Sequence, residues 1–373
     1  PAAEAVTSTS PDAVAYQADI AHDGHVVDSA ITLPLDQRWS IPVENPSYPI
    51  IAQGLVIVTS RGSTIGGYGT RLSAFDQATG DEVWARNIKG TYYWSNAAYE
   101  AGKVFVVDYD GLLRALDAAT GTKLWSVQLP DESAFSSPPT ADGGIVYAVG
   151  AGYDGIIYAV DESTGNILWT QGVLGGSNSS PALSSGSLFV GYACHQSYAF
   201  ARGDGSLLWH HAGSCIGGGG RTAAYYRSAV YLRDNFSSVD NGLVLGVNLG
   251  HKRGTFTSST IPAFTHDTGF FLDSGTLRAK NLPDMSTAWA FAGNGDLNTA
   301  PLVVNGVVFE GSTSGRIYAL RAKTGHGVWH ADVGAEIPHP DEQNVSQPLT
   351  GLGAGDGLLV VPAVDRLVAY GSA

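Results

Sequence analysis

Apolar and polar residues alternate along this chain in short runs, and the runs come in pairs. In GLLRALDAATGTKLWSVQLP, Gly111 to Pro130, the stretch Leu112 to Asp117 alternates, Ala118-Ala119-Thr120-Gly121 interrupts it, and Lys123 to Leu129 resumes it around Trp125. A period of two broken by a Gly-ended tetrapeptide predicts two antiparallel strands and their turn. Copies of this unit recur along almost the whole chain. Trp84, Trp125, Trp169 and Trp209 follow one another at spacings of 41, 44 and 40 residues, each a few positions after a turn written ATG, STG or GDG. Trp289 and Trp329 continue the series at 40, with Thr324-Gly325 before the last. Between Trp209 and Trp289 one copy is degraded: Gly250 to Gly254 replaces the turn, and Phe256 stands near the expected tryptophan.

Around the first complete copy, Tyr48 to Ala52, Gly54 to Thr59, Arg71 to Asp76 and Asp81 to Asn87 read as four strands with tight connections, the pattern of one propeller blade. The final copy, Asn344 to Ala373, supplies three strands without a tryptophan strand, while LDQRWSIPV around Trp39 is a tryptophan strand without a blade. Joining the two completes an eighth blade and removes an open sheet edge. The expected fold is therefore all-β: an eight-bladed β-propeller of four-stranded antiparallel blades, one domain over residues 31–373, behind a flexible lead over residues 1–30.

Composition narrows the partners. With 48 glycines and 14% charged residues in 373, a turn-rich β chain is favoured over a helical one. A formal charge of -14 and the lack of any Lys/Arg cluster argue against nucleic acid and anionic membrane surfaces. No apolar run reaches the length of a membrane span, and the Ala/Ser/Thr/Pro-rich start from Pro1 to Val14 reads as the beginning of an exported, secreted protein, expected to be a monomer. Cys194 and Cys215, an isolated pair 21 positions apart, fit either one disulfide or two buried thiols; the repeat register puts both on one face, and a disulfide is expected.

The recurring (L/I)-x-A-(L/F/V)-D-x-x-T-G-x-x-x-W resembles the repeat of the PQQ-like, quinoprotein-type β-propellers, over roughly residues 36 to 373. That resemblance implies that Trp39, Trp84, Trp125, Trp169, Trp209, Trp289 and Trp329 dock between neighbouring blades. It does not carry the family cofactor over. Quinone-binding members stack the cofactor on a disulfide between adjacent cysteines and coordinate calcium; here the cysteines are far apart and no C-x-x-C-H haem segment exists. No cofactor is expected, and calcium has no supporting motif. A further relative, the propeller lipoprotein of the outer-membrane barrel-assembly machinery, carries an acylated N-terminal Cys, and none lies near Pro1.

Function on a propeller is expected on the face that carries the loops between strands two and three and those from strand four to the next blade. The inner strands begin there with small hydroxyls and amides, among them Asn96, Asn298 and Gln347, and with one charge, Arg221, after the run Gly217 to Gly220. Arg233-Asp234 leaves strand two of the same irregular blade, as an anion clamp with Arg221 or as a structural pair. Tyr93 and Trp94 offer flat apolar surface to a sugar ring, or a plug for the channel. The insertion EIPHPDEQN, Glu336 to Asn344, gathers His339, Asp341 and Glu342, which reads as a solvated acidic loop rather than a metal or acid/base set. Two functions follow: a binding or scaffolding propeller for a glycan, peptide or protein, or a polysaccharide-lyase-type enzyme in which Arg221 or Arg233 neutralises a uronate and Tyr93 or His339 is the base. Binding is the preferred reading, with Arg221 and Trp94 sharing the ligand.

Overall fold

Strand two of each repeat is apolar at nearly every position, and strand four alternates; the structure gives the reason. In the second blade Val104 to Val107 are fully buried, because strand two is covered by neighbouring blades on both faces, whereas Lys123–Gln128 lies on the outer rim with only one face covered. The computed structural model describes residues 12–61, 68–132, 134–151, 154–176, 179–215, 219–234 and 241–373. Eight antiparallel four-stranded blades form a closed propeller. In order they occupy residues 50–89, 95–128, 140–172, 182–211, 224–256, 263–291, 302–332, and 353–372 with 35–42, and are called blades 1 to 8. Closure is as expected: Leu35–Pro42 pairs antiparallel with Arg366–Ser372, and Trp39 lies opposite Ala369.

Neighbouring blades are latched by one repeated contact. The indole N–H of each strand-four tryptophan donates to a backbone carbonyl of the next blade: Trp39 to Gln77, Trp84 to Ala118, Trp125 to Glu162, Trp169 to Arg202, Trp209 to Val247, Trp289 to Ala322 and Trp329 to Leu35, at 2.7–3.1 Å. Except at the last of these, the ring lies against a positive-φ glycine of the receiving turn: a Cβ on Gly121 (φ +64°) would stand 2.6 Å from the Trp84 ring. Glycine is required there both for the backbone angle and for the space. One sequence expectation is corrected. In blade 5 the residue opposite Val244, in the register held by Trp84 opposite Ala74, is Gly254. Phe256 is two residues further on and is buried, stacked near Tyr231 and Phe271.

The N-terminal stretch departs further from expectation. Residues 12–26 are not a loose lead but run through the channel past the inner strands. Ile51, Tyr99, Leu183, Tyr225, Phe264 and Val303 donate their N–H groups to the carbonyls of Ala13, Val14, Ile20, Ala21, Asp23 and Gly24 at 2.7–2.9 Å, which engages blades 1, 2, 4, 5, 6 and 7. Thr140 of blade 3 meets His22 Nε2 at 3.3 Å, and Tyr16 packs against Gly351 ahead of blade 8. His25–Val26 then adds a parallel fifth strand to the inner edge of blade 7. The physical cause is the inner edge itself: the first strand of each blade turns edge N–H groups toward the channel, and the carbonyls of this segment accept from six of the blades.

Candidate functional site

The face that carries the longer loops, here the upper face, holds two distinct groups of side chains. The first closes the channel. Between Gly327–Asp332 of blade 7 and Gly353–Gly355 of blade 8 the chain makes a long connection in which Pro338 and Pro340 oppose regular structure. It is tied down by Ile337, which is buried and accepts from Asn298 Nδ2 at 3.1 Å, and by the Glu336 carbonyl, which accepts from Val364 N–H at 3.0 Å. From that anchor Glu342 reaches across to blade 5. One of its oxygens accepts from Arg233 Nη2 and the other from Thr222 N–H at 2.5 Å. Both ion-pair side chains are 1% exposed.

Burial raises the cost of the Glu342 charge, but Arg233, Arg221 and the Thr222 N–H outweigh it and hold the carboxylate below its ordinary pKa. The same field acts on its neighbours. Burial and then the two arginines lower the His339 pKa, burial lowers that of Arg221, and the Tyr16 phenol is raised by burial and by Glu342. The N-terminal segment thus meets the upper loop inside the channel. This overturns the solvated reading of Glu336 to Asn344, since Glu342 is 3% exposed. It also separates the expected Arg233–Asp234 pair: Arg233 belongs to Glu342, and Asp234 accepts the His195 N–H at 2.9 Å.

Cys194 and Cys215 are joined by a disulfide at a Cα separation of 5.4 Å, beside Asp234 and the start of the glycine run, of which Gly217 and Gly218 lie outside the described residues. The other named residues serve the framework. Asn96 is buried between the Ser95 carbonyl at 3.3 Å and the Leu349 N–H at 3.1 Å, and Asn298 holds the loop as above. Gln347 is half-buried on the same loop. Trp94 is not a stacking platform. It is 2% exposed and packs with Phe105, Leu113, Phe135 and Val345. Arg221 lies instead in the Glu342 group, so the structure does not bring these two together on one ligand surface.

The second group is exposed. Tyr93 lies under the Arg61 guanidinium at 4.5 Å from the ring centroid, with Tyr68 at 5.0 Å on its other side. Tyr92 contacts Tyr68 at 6.5 Å and Tyr109 at 4.4 Å. Tyr68 is 58% exposed and Tyr92 39%. Turns of blades 1 and 2 present all five, because Arg61 and Tyr68 flank the strand-two-to-three loop, Tyr109 sits in the same loop one blade on, and Tyr92 and Tyr93 lie between the blades. Only Tyr93 was expected at a site. Arg61, Tyr68 and Tyr109 carry no motif; their common signal is the register position next to an upper-face loop.

Among the described residues no group of three His, Cys, Asp or Glu side chains is placed to hold a metal, and no helix is long and apolar enough to cross a membrane. A family model described as "Outer membrane protein assembly factor BamB" matches residues 68–219 and 234–371. The outer membrane protein assembly factor BamB of Yersinia pestis is 24% identical over 278 residues, 70% of this chain and 63% of that protein. A polyvinylalcohol dehydrogenase of Sphingopyxis is 39% identical over 75 residues, 20% of this chain and 12% of that one. This chain therefore spans less than two thirds of either relative. Among solved structures, BamB from Moraxella catarrhalis superposes with a TM-score of 0.69 at 17% identity, covering 91% of this chain and 100% of that one. The quinohemoprotein alcohol dehydrogenase of Comamonas testosteroni gives 0.76 at 15% identity, covering 97% and 80%. These superpositions speak for the fold alone.

Proposed function

This chain belongs to the family described as outer membrane protein assembly factor BamB, and from that membership we propose that it is a polypeptide-binding propeller acting in an oxidising compartment outside the cytoplasm. The disulfide supports the compartment. The observation that carries the binding reading is the upper-face cluster of exposed Tyr68, Tyr92 and Arg61 with half-buried Tyr93 and Tyr109. Tyrosine and arginine dominate the energetics of protein interfaces, because a rigid amphipathic ring and a planar guanidinium give large contact area for little lost freedom. A glycan on the same rings is the competing ligand.

The test uses the purified chain and a labelled, unfolded outer-membrane β-barrel polypeptide, followed by fluorescence anisotropy, with an oligouronide series in parallel. Combining Tyr68→Ala, Tyr92→Ala and Tyr93→Ala should weaken polypeptide binding about thirtyfold, the equivalent of one interface hot spot of ~2 kcal/mol. Unchanged affinity, or binding of the oligouronides and no polypeptide, overturns the proposal.

A further inference from the structure

One of the eight blade interfaces lacks its latch, and both halves of the latch are changed together. At the boundary of blades 5 and 6 the tryptophan position is Gly254. The receiving turn is identified by its backbone bonds. Leu282 N–H donates to the Asp267 carbonyl as Gln77 does to Gly54 and Ala118 to Gly102, so Leu282 corresponds to the residues whose carbonyls accept an indole. Met285 N–H donates to Asn281 as Gly80 does to Asp76, so Met285 stands in the glycine position and keeps its positive φ of 60°. Where the knob has gone, the hole has been partly refilled by a flexible thioether.

The refilling is incomplete. A Cβ built on Gly254 meets nothing within 4 Å. A cavity of about 480 Å³ opens there, walled by Tyr226, Tyr231, Val244, Gly254, Leu282 and Met285. The groove one interface further on has a similar size, about 490 Å³, but Trp289 forms its wall. Tyr226, Tyr231 and Val244 are each 5–8% exposed, so the apolar walls reach solvent through the opening. Polar groups define its rim: Arg227 pairs with Asp267 at 2.5 Å, and Arg253 donates to Ser228 Oγ at 3.0 Å. Few polar groups around an apolar slot is the usual make-up of a small-ligand site.

We propose that this slot binds an indole-type ring from outside the chain, with its N–H directed to the Leu282 carbonyl and its face against Met285 and the two tyrosines. The repeat itself supplies the argument for the occupant: six interfaces place an indole against the matching turn, donating to the matching carbonyl, and a seventh uses an indole on the closing strand. Methionine suits a ligand that comes and goes, because its three rotatable bonds let the wall adapt and its sulfur makes favourable contact with a ring. The ring has two sources of the same chemistry, a free indole or the side chain of an exposed tryptophan on a peptide. The slot is on the face opposite the tyrosine cluster, so the two proposals fail separately.

The experiment titrates the full chain into 5-fluoroindole and, separately, into N-acetyl-5-fluorotryptophan amide, observed by fluorine NMR. Saturable binding is expected, and the double variant Gly254→Trp/Met285→Gly, which rebuilds the latch, should weaken it at least about tenfold by filling the slot. Gly254→Leu, which fills the slot without altering the turn, should do the same and serves if the double variant does not fold. Binding of the free ring assigns a small molecule, and binding of the tryptophan amide alone assigns a peptide side chain. Failure of both probes to bind at millimolar concentration, or equal binding by the wild-type chain and a folded slot-filling variant, overturns the proposal.

Discussion

Asp19 shows how far a single residue can be from its sequence appearance. It falls within the expected flexible lead over residues 1–30, yet it is 4% exposed inside the channel, with one oxygen accepting the Ala21 N–H at 3.0 Å. Burial pushes its pKa up to about 7, against three backbone hydrogen bonds that pull it down. The folded chain therefore holds a proton that the unfolded chain has released between about pH 4 and 7. The stability this contributes is fully present below the unfolded pKa and is lost as pH rises through 7. His22, driven down to about 4 by burial, works in the opposite sense between about 4 and 6.5, where the unfolded imidazole takes up the proton first. Above that interval His22 no longer offsets the Asp19 penalty. Asp19→Asn retains the acceptor oxygen and removes the titration, so urea melts should show it more stable than the parent at pH 7.5 and equal to it at pH 4. Equal curves at both values would mean that Asp19 is ionised without cost. Local sequence could not announce any of this, because burial of residues 12–26 is decided by strands up to 284 positions away, as in the Gln17 amide bond to Pro301.

At the scale of elements the sequence was far more informative, since period-two runs, Gly turns and the tryptophan series are all short-range signals. They located the blades and the closing strand pair. The one misplaced register, Phe256 for Gly254, arose because a missing side chain leaves no mark in a pattern built on side chains. The latch makes a contrasting pair of glycine substitutions. Gly121→Ala puts a Cβ into the Trp84 ring on a backbone that disfavours it, and should cost about 2–4 kcal/mol in urea denaturation. Gly254→Ala occupies open space and should fall within about 0.5 kcal/mol of the parent. Equal effects would contradict the assignment of the unlatched interface. The candidate site was legible only in part for a related reason: Arg221 and Arg233 were read together on the irregular blade and His339, Asp341 and Glu342 together on the long loop, but nothing local joins Glu342 to Arg233, 109 positions away. Trp94 was misread because an aromatic triplet in a loop looks alike whether it faces solvent or core.

For the molecule as a whole, two different closures depend on the first 42 residues. Residues 12–26 satisfy the channel, and Leu35–Pro42 closes the ring. Chains starting at residue 27 and at residue 44 should separate them. The first loses at least eight backbone hydrogen bonds to the blades, roughly 0.5–1.5 kcal/mol each, and should melt cooperatively at a lower temperature in calorimetry. The second exposes the edges of blade 8 and should lose its single transition and associate. If the chain starting at 27 melts with the parent, the channel segment contributes nothing to the fold. The closing pair also imposes an order in time. Leu35–Pro42 is synthesised before the seven other blades, and its partner Arg366–Ser372 after all of them. Until Arg366–Ser372 has been made, a nascent chain has an incomplete ring and an opening strand with no partner, so the ring closes only after all eight inner strands exist. A ring closed by two strands so distant in the chain stays open through most of its own synthesis, without any separate device to delay it.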